Sequence, residues 1–342
     1  MGAVVFEAYN KVGDNSAVNM LPVLASELKE SKDMTMFDSS GDVNIQKILP
    51  STRQIDPDDI DFIWKSLPDN YVTSFNDDIM HTHRGLFHYP PNAFEMGFKE
   101  KPTRHYFRPF YVYIYKKLKD VARKCAYGRL LADMFIEPWV RFENIFAEIP
   151  HFSLNFISSL THDDPNSLNL LDNDLHRKLS ILNDNQRLNS TFLVIMGDHG
   201  NRIHAMSRYS FAGRAEERSP MLAIIPPSSF IEKFPNKMLN LYSNAQRFVS
   251  NYDLHETLLE ILNLPSNPST AREPIHQENL TSTFNSYILS QYLTCFDQNS
   301  AKCDAYDDLV MPNNYVQIGT RVKVSDNEVK RRKKKASEVS NN

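Results

Sequence analysis

Apolar residues in this chain fall into short, uninterrupted runs that stop at polar or glycine-rich turns. The clearest run is Thr191–Met196, TFLVIM, which is followed by Gly197, Asp198, His199 and Gly200. A run without alternating polar residues predicts a fully buried strand, typical of the centre of a parallel sheet. The two glycines allow a sharp turn that brings the carboxylate and the imidazole to one point. On these two side chains alone, a helix cap at Asp198 and a surface His199 are the simpler interpretation.

The same pattern predicts an alternation of strands and helices along the chain. Further strands are predicted at residues 3–9, 71–75, 151–160 and 221–225, and helices that begin near residues 17, 110, 130, 172 and 253. The strand at 151–160, the helix after it and the run at 191–196 form a strand–helix–strand unit, which predicts a right-handed parallel crossover. Residues 201–218 are interpreted as a polar loop.

Polar clusters follow the carboxyl ends of several predicted strands. They contain Ser16, Asp77, His162, Asp198 and His199. Ligands of open α/β sheets bind beyond the carboxyl ends of the strands. We therefore predict a site at that rim of the sheet.

Each candidate also has a simpler structural interpretation. Ser16 or Asn15 could be only the N-cap of the first helix. A hydroxyl at a helix N-terminus would also favour an anionic substrate and stabilise an ionised nucleophile. Asp77 is either a site residue or a turn former. Arg104 offers a planar donor fork to phosphate or sulfate, or belongs to a solvated basic loop.

Composition limits the function classes. With 342 residues and 41% apolar content the chain can bury a substantial core. The 38 basic and 42 acidic residues give a net charge of −4, so no overall field favours nucleic acid or an anionic membrane. Basic charge is concentrated in the tail, residues 326–342, which we expect to be disordered.

Cysteines and glycosylation sequons point towards the secretory pathway. The three cysteines lack the short paired spacings of a structural zinc site, but Cys295 and Cys303 could close a small disulfide loop. Asn189 and Asn279 head Asn-x-Ser/Thr sequons, which also arise by chance. The sequence contains no signal peptide or transmembrane run.

Several motifs together resemble one known family. In order, they are YNKVGDNSAVNMLPVL, YVTSFNDD, GFKEKPTRHYFRPF, THDDPN, MGDHGNRI, GRAEERSPMLAI and NYDLHETLLEIL. This series resembles the sulfatase-like domain-of-unknown-function family numbered two hundred and twenty-nine, of the alkaline phosphatase superfamily, over about residues 3–290. The resemblance implies an alkaline-phosphatase-like α/β domain at 1–290, a mostly parallel sheet flanked by helices on both faces. An extension at 291–325 and the tail would follow.

The resemblance also implies a chemistry. In that superfamily a divalent ion (zinc, manganese, magnesium or calcium) activates a nucleophile that attacks phosphorus or sulfur. Asp198 and His199 match metal ligands, Ser16 matches the nucleophile, and His162 resembles a histidine near the substrate or a second metal. Further candidates for substrate contacts are Asn15, Asp77, Arg104 and His204, the last without a secure counterpart in the family pattern.

An unmodified serine favours phosphate or phosphonate over sulfate as the transferred group. The expected partner is a phosphorylated or sulfated substrate, such as a carbohydrate or a lipid, and not a nucleic acid. The expected location is extracellular, in the secretory lumen or membrane-anchored in a longer form, with membrane contact only through an N-terminal segment outside this sequence.

The family pattern includes one element that this sequence does not contain. It is an upstream strand that ends in an acidic metal ligand and would lie inside the sheet. Two function classes therefore stay open: a metal-dependent hydrolase or transferase of phosphate or sulfate esters, and an inactive binding or structural protein of the same fold. For residues 1–342 alone we expect negligible hydrolysis.

Overall fold

The computed structural model describes residues 2–13, 15–25, 54–79, 81, 84–88, 94–95, 97–118, 125–126, 129–162, 165–202 and 210–263. Over these ranges the chain has a mixed α/β fold with ten strands and eight α-helices. The strands are β1 Val4–Val5, β2 Ala8–Asn10, β3 Val72–Asp77, β4 His105–Tyr106, β5 Cys125–Ala126, β6 Arg129–Leu130, β7 His151–Phe156, β8 Leu193–Met196, β9 Leu222–Ile225 and β10 Phe248–Ser250. The helices are α1 Ser16–Leu24, α2 Arg108–Leu118, α3 Leu131–Ile145, α4 Leu168–Asp184, α5 Phe211–Arg218, α6 Ser228–Lys233, α7 Pro235–Ala245 and α8 Asn251–Leu262. Short 3-10 helices lie at Pro57–Asp59, Ile63–Ser66 and Pro165–Ser167.

Side-chain caps fix where the helices nearest the site begin. The Asn15 side chain accepts a hydrogen bond from the Ala17 N–H and so caps α1. Ser210 caps α5 in the same way, through the Gly213 N–H. Each cap satisfies one of the backbone donors that a helix N-terminus leaves unpaired.

The strand pairing is mixed. Parallel ladders join β3 to β4 and β7, and β2 to β10. Antiparallel ladders join β9 to β1 and β8, and β5 to β6. The described strands therefore include the parallel sheets of an α/β fold. The sequence pattern predicts that β8 lies in a parallel ladder, whereas its ladder to β9 is antiparallel.

The prediction that β8 is a fully buried central strand is also wrong. All four of its residues are half-exposed, and its ladder to β9 uses only one of its two edges. β7 is likewise half-exposed, and among the described strands its one ladder partner is β3. The apolar composition therefore predicts that this segment is a strand. It does not predict which other segments pack against the strand and bury it.

Residues of β8 alternate between two hydrophobic clusters. Val194 and Met196 pack against the largest cluster, which contains buried residues of α1 and α8. Leu193 and Ile195 pack against a second cluster built from α3 and α4. The two faces of β8 therefore contribute to two different hydrophobic clusters.

Two other sequence expectations need correction. The segment predicted as a loop at 201–218 contains helix α5, because FAGRAEER is rich in helix-forming residues and Ser210 supplies a cap. The predicted first strand divides into β1 and β2, which pair with different partners. The extension, the tail, Cys295, Cys303 and Asn279 lie outside the described residues. Within those residues, no helix has the length and apolar character to cross a membrane.

Candidate metal centre

The turn after β8 holds an acid and an imidazole close together. His199 Nε2 lies 3.5 Å from Asp198 Oδ2, and both side chains are largely buried. His199 Nδ1 lies 2.7 Å from the Gly200 carbonyl oxygen. Because a carbonyl can only accept, Nδ1 carries the proton in the neutral ring, and the Nε2 lone pair faces the carboxylate side.

The geometry of this pair suits one metal ion. Asp198 Oδ2 is buried and has no hydrogen-bond partner in the part of the chain that the structure describes, which is costly for a carboxylate oxygen. Two ligands at about 2.0–2.2 Å from one tetrahedral ion lie roughly 3.3–3.6 Å apart. The distance between Nε2 and Oδ2 falls in that range, so the two residues fit a shared divalent ion. In the described part of the chain, however, no group of three or more His, Cys, Asp or Glu residues is placed to hold a metal.

Gly200 closes the turn against helix α5. A Cβ at this position would lie 2.3 Å from the Glu216 carbonyl oxygen and 2.6 Å from Glu217 Cα. The Gly200 N–H donates to the Glu217 carbonyl oxygen at 2.9 Å. Only glycine allows this approach, so the backbone contact fixes the turn that carries Asp198 and His199.

The turn before α1 is held by a buried asparagine. Asn19 Oδ1 accepts from the N–H groups of Val12 and Gly13 at 2.8 Å each. Its Nδ2 donates to the carbonyl oxygens of Gly13 and Asn15 at 2.7 and 3.2 Å. Four hydrogen bonds from one side chain therefore fix the loop that leads to Ser16, the first residue of α1.

A buried ion pair connects the segment before α1 to helix α5. Lys11 Nζ pairs with the Glu217 carboxylate, and both side chains are largely buried. The Lys11 N–H also donates to the Arg218 carbonyl oxygen at 3.0 Å. Since Glu217 also contacts Gly200, the segment that leads to Ser16 and the turn after β8 share one helix as a support.

Tyr9 is a site neighbour that the sequence reasoning missed. Its hydroxyl is buried and has no hydrogen-bond partner within the described ranges. Burial, and then the nearby charge of Asp198, raise the pKa of Tyr9 well above its usual range. Tyr9 lies in the apolar run that predicts the first strand, and only the three-dimensional arrangement places its hydroxyl near the carboxylate.

A comparison with protein families identifies the family of the chain. The family model described as "Protein of unknown function (DUF229)" matches residues 1–337. The chain belongs to the DUF229 family. No curated protein and no solved structure matches this DUF229 chain. The family predicted from the ordered motifs is thus confirmed, and the match extends beyond residue 290.

His162 follows β7 in a turn that Asp78 holds. Its side chain is exposed, and its N–H donates to the Ser158 carbonyl oxygen at 2.9 Å. Asp78 Oδ1 accepts from the N–H groups of Ser158 and Ser159 at 2.8 and 3.2 Å. Burial is the main reason that the pKa of Asp78 rises to about 7, and the charge of Asp77 adds to it.

Asp77 is fully buried at the end of β3 in this DUF229 chain. Its carboxylate accepts from the N–H groups of Ile79 and Leu86 at 3.1 and 3.0 Å, and Arg108 Nη1 lies 3.4 Å away. Arg108 also donates to three backbone carbonyl oxygens of the loop that follows. Burial raises the pKa of Asp77, and the Arg108 charge opposes that shift. The pair therefore organises the loop after β3.

The remaining candidates are not gathered at one point. Arg104 Nη2 donates to the Asp69 carbonyl oxygen at 2.6 Å, and Asp69 precedes β3. Arg104 thus lies near the amino end of β3, whereas Asp77 lies at its carboxyl end. Asn15 is the cap of α1, which is the structural alternative that its sequence position allowed. His204 lies outside the described residues.

Proposed function

We propose that this DUF229 chain has an alkaline-phosphatase-like fold and the chemistry of a metal-dependent hydrolase or transferase of phosphate or sulfate esters. The observation that carries the proposal is the ligand pair after β8. Asp198 Oδ2 is buried without a hydrogen-bond partner among the described residues, and His199 Nε2 lies 3.5 Å from it with its tautomer set by the Gly200 carbonyl oxygen. A buried carboxylate oxygen that lacks a hydrogen bond is stabilised by a bound cation.

Each residue of the site has a proposed role. Asp198 and His199 would hold the ion, and a mixed oxygen and nitrogen donor set suits zinc or manganese, with magnesium and calcium as alternatives. A bound divalent ion lowers the pKa of a nucleophile and polarises the transferred group. Ser16 would supply the attacking oxygen from the first position of α1, where the helix dipole favours an anionic group. His162 would contact the substrate or a second metal.

The substrate is proposed from the nucleophile. An unmodified serine favours transfer of a phosphate or phosphonate group over sulfate, with a carbohydrate or a lipid as the carrier. Asn15, Asp77, Arg104 and His204 stay candidates for substrate contacts. An extracellular or secretory location is supported by Asn189, the sequon residue, which is exposed before β8.

A second candidate is an inactive binding or structural protein of the same fold. Two observations on the described residues favour it. They contain no cluster of three metal-binding side chains, and both β7 and β8 have one edge without a ladder partner. An added strand that ends in an acid would change both features.

Turnover distinguishes the two candidates. We expect residues 1–342 alone to hydrolyse neither an aryl phosphate nor an aryl sulfate at a measurable rate with zinc, manganese, magnesium or calcium. The same chain preceded by a strand and acid from another family member is expected to turn over the phosphate. In that extended protein Ser16→Ala should abolish turnover and spare metal binding, whereas Asp198→Asn should impair both.

Three outcomes bear on the assignment. Full activity of Ser16→Ala would remove the nucleophile role. Robust turnover by residues 1–342 would show that no further ligand is needed. An inactive extended protein that still folds and binds metal would favour the second candidate.

A further inference from the structure

His151, the first residue of β7, has a hydrogen-bond acceptor at each nitrogen of its ring. Nδ1 lies 2.9 Å from the Ile149 carbonyl oxygen, and Nε2 lies 3.0 Å from Glu143 Oε2. A neutral imidazole has one donor nitrogen and one acceptor nitrogen, so it can donate to only one of these two oxygens. Both contacts are satisfied only when the ring carries two protons and a positive charge.

The partner of this charge is a buried carboxylate on α3. Glu143 Oε1 accepts from Trp139 Nε1 at 3.0 Å, so each carboxylate oxygen has an N–H donor. The side chains of Glu143 and His151 are only 6% and 9% exposed. Solvent therefore screens the pair little, and removal of one charge would leave the other buried and unpaired.

The other elements that pack against His151 are apolar at the point of contact. β3 pairs the residue with Val72. From α3, the Phe142 ring lies edge-on to the imidazole, with the ring centroids 5.5 Å apart. Glu143 is thus the charged group that favours the imidazolium.

A second histidine on the same aromatic ring has the opposite tendency. His105 of β4 contacts Phe142, with the ring centroids 5.6 Å apart. Burial, and then the charges of Lys101 and Arg104, lower the pKa of His105. This histidine provides an internal reference for His151.

The charge of His151 links its contacts to pH. Burial alone would lower the pKa of His151, but Glu143, and then the carbonyl groups of Ile149 and Phe146, raise it above its usual value. The contribution to folding is therefore complete below the pKa of an unfolded histidine, about 6.5, and is lost as the pH rises through the folded value.

We propose that the His151 imidazolium is a pH-dependent clamp on residues 146–150, the connection between α3 and β7. It joins Glu143 near the end of α3 to the Ile149 carbonyl group and to the start of β7. Loss of its proton leaves one of the two oxygens without a donor, so the connection opens more often. The clamp depends on the fold alone and can be tested without metal or turnover.

NMR titration of the histidine rings in residues 1–342 tests the charge. The His151 signal is assigned through bonds to its own backbone, and its midpoint should lie above about pH 6.5, the value of a free histidine. The midpoint of His105 should lie below it. A His151 midpoint at or below that of a free histidine would overturn the proposal.

Glu143→Gln identifies the cause of the charge. The glutamine amide can donate to His151 Nε2 while its oxygen accepts from Trp139, so a neutral ring keeps both of its contacts. Burial then dominates, and the His151 midpoint should fall below about pH 6.5. Glu148→Gln is the matched control, because the Glu148 side chain lies in the same connection and is 92% exposed. An unchanged midpoint in Glu143→Gln would contradict the role of the carboxylate.

Hydrogen exchange measures the clamp on the unaltered chain. Within the connection the Ile149 N–H donates to the Phe146 carbonyl oxygen, and the Pro150 carbonyl oxygen accepts from the Val72 N–H. Protection factors of these two amides should fall about tenfold between pH 6 and pH 9, the loss expected for one hydrogen bond to a charged group. The Phe6 amide, which donates to Leu222 in another sheet, should keep its protection. Constant protection of the connection, or an equal loss at Phe6, would refute a local clamp.

Discussion

Asp78 is a buried carboxylate whose ionisation opposes folding. Its pKa is about 7 in the folded chain, mainly because of burial, against about 3.9 in an unfolded chain. Between these values the folded state holds the extra proton. The free energy of unfolding should therefore fall as the pH rises from about 4 to about 7, by up to about 1.4 kcal/mol per pH unit.

Urea unfolding at a series of pH values checks this. The Asp78→Asn side chain is neutral at every pH. In this variant the free energy of unfolding should therefore no longer show the part of its decrease between about pH 4 and about pH 7 that comes from the Asp78 proton. Exposed Asp69→Asn is the matched control and should keep the slope. If both variants follow the parent protein, the carboxylate is not the group that titrates.

Asn19 should be one of the least replaceable polar residues. Its four hydrogen bonds join the backbone of residues 12, 13 and 15, and its own carbonyl accepts from Asn251 Nδ2 at 2.7 Å. Each buried group left unpaired costs about 1–3 kcal/mol. Asn19→Ala should therefore lower the free energy of unfolding by at least about 2 kcal/mol, measured by urea denaturation.

The control for that measurement is Asn240→Ala, which removes an exposed asparagine from the helix α7. It should change stability by less than about 0.5 kcal/mol. Similar losses in the two variants would mean that the Asn19 bonds contribute little to folding.

The role of Asn19 shows what the residue pattern left hidden. The sequence placed Ser16 correctly at a helix start, because Asn15 and the apolar spacing after it are local signals. Asn19 gives no such signal, because a single polar residue inside an apolar helix only interrupts the hydrophobic pattern. Its role depends on the backbone of residues 12, 13 and 15 lying next to its side chain, and no local sequence pattern predicts that contact.

Among the secondary-structure elements, β8 differs most from the sequence prediction, because it is half-exposed and antiparallel to β9 instead of buried and parallel. It pairs with β9 in the registers Leu193–Ile225 to Met196–Leu222, and the Gly197 N–H donates to the Met221 carbonyl oxygen. Since donors alternate along an antiparallel strand, the N–H groups of Leu193, Ile195 and Gly197 face β9. Those of Val194 and Met196 face the other edge.

Hydrogen exchange resolved by residue tests this arrangement. In residues 1–342 the amides of Leu193, Ile195 and Gly197 should exchange slowly, and those of Val194 and Met196 at least about 100-fold faster. Equal protection of all five amides would show that a further segment covers the edge of β8.

The order of elements was the most predictable part of the fold. Runs rich in β-branched, aromatic and other apolar residues located β3, β7, β8 and β9 within a few residues, because such side chains favour strands. The helix α5 was missed because charged residues dominate its sequence and its support comes from contacts with Gly200 and Lys11. Strand direction was wrong for β8, since pairing partners are chosen by distant parts of the chain.

For the whole molecule, the family was predictable because seven motifs occur in one order, and the match over residues 1–337 confirms it. The site was predictable only in part. Asp198 and His199 are adjacent in sequence, so their proximity follows from local geometry. Tyr9, Lys11 and Glu217 are brought to the same region by tertiary packing, and the motif comparison assigned none of them a role.

The central claim is that Asp198 and His199 share one divalent ion. Isothermal titration with zinc tests it directly on the extended protein of the turnover experiment, which is the parent chain for the variants below. We predict one ion per chain, with affinity lowered by more than about 100-fold in Asp198→Asn and in His199→Ala, since loss of a ligand exceeds the 10- to 100-fold effect of an outer contact. Ser16→Ala and Asp69→Asn should bind like the parent chain. Unchanged affinity in Asp198→Asn, or no zinc binding by the parent chain, would contradict the claim.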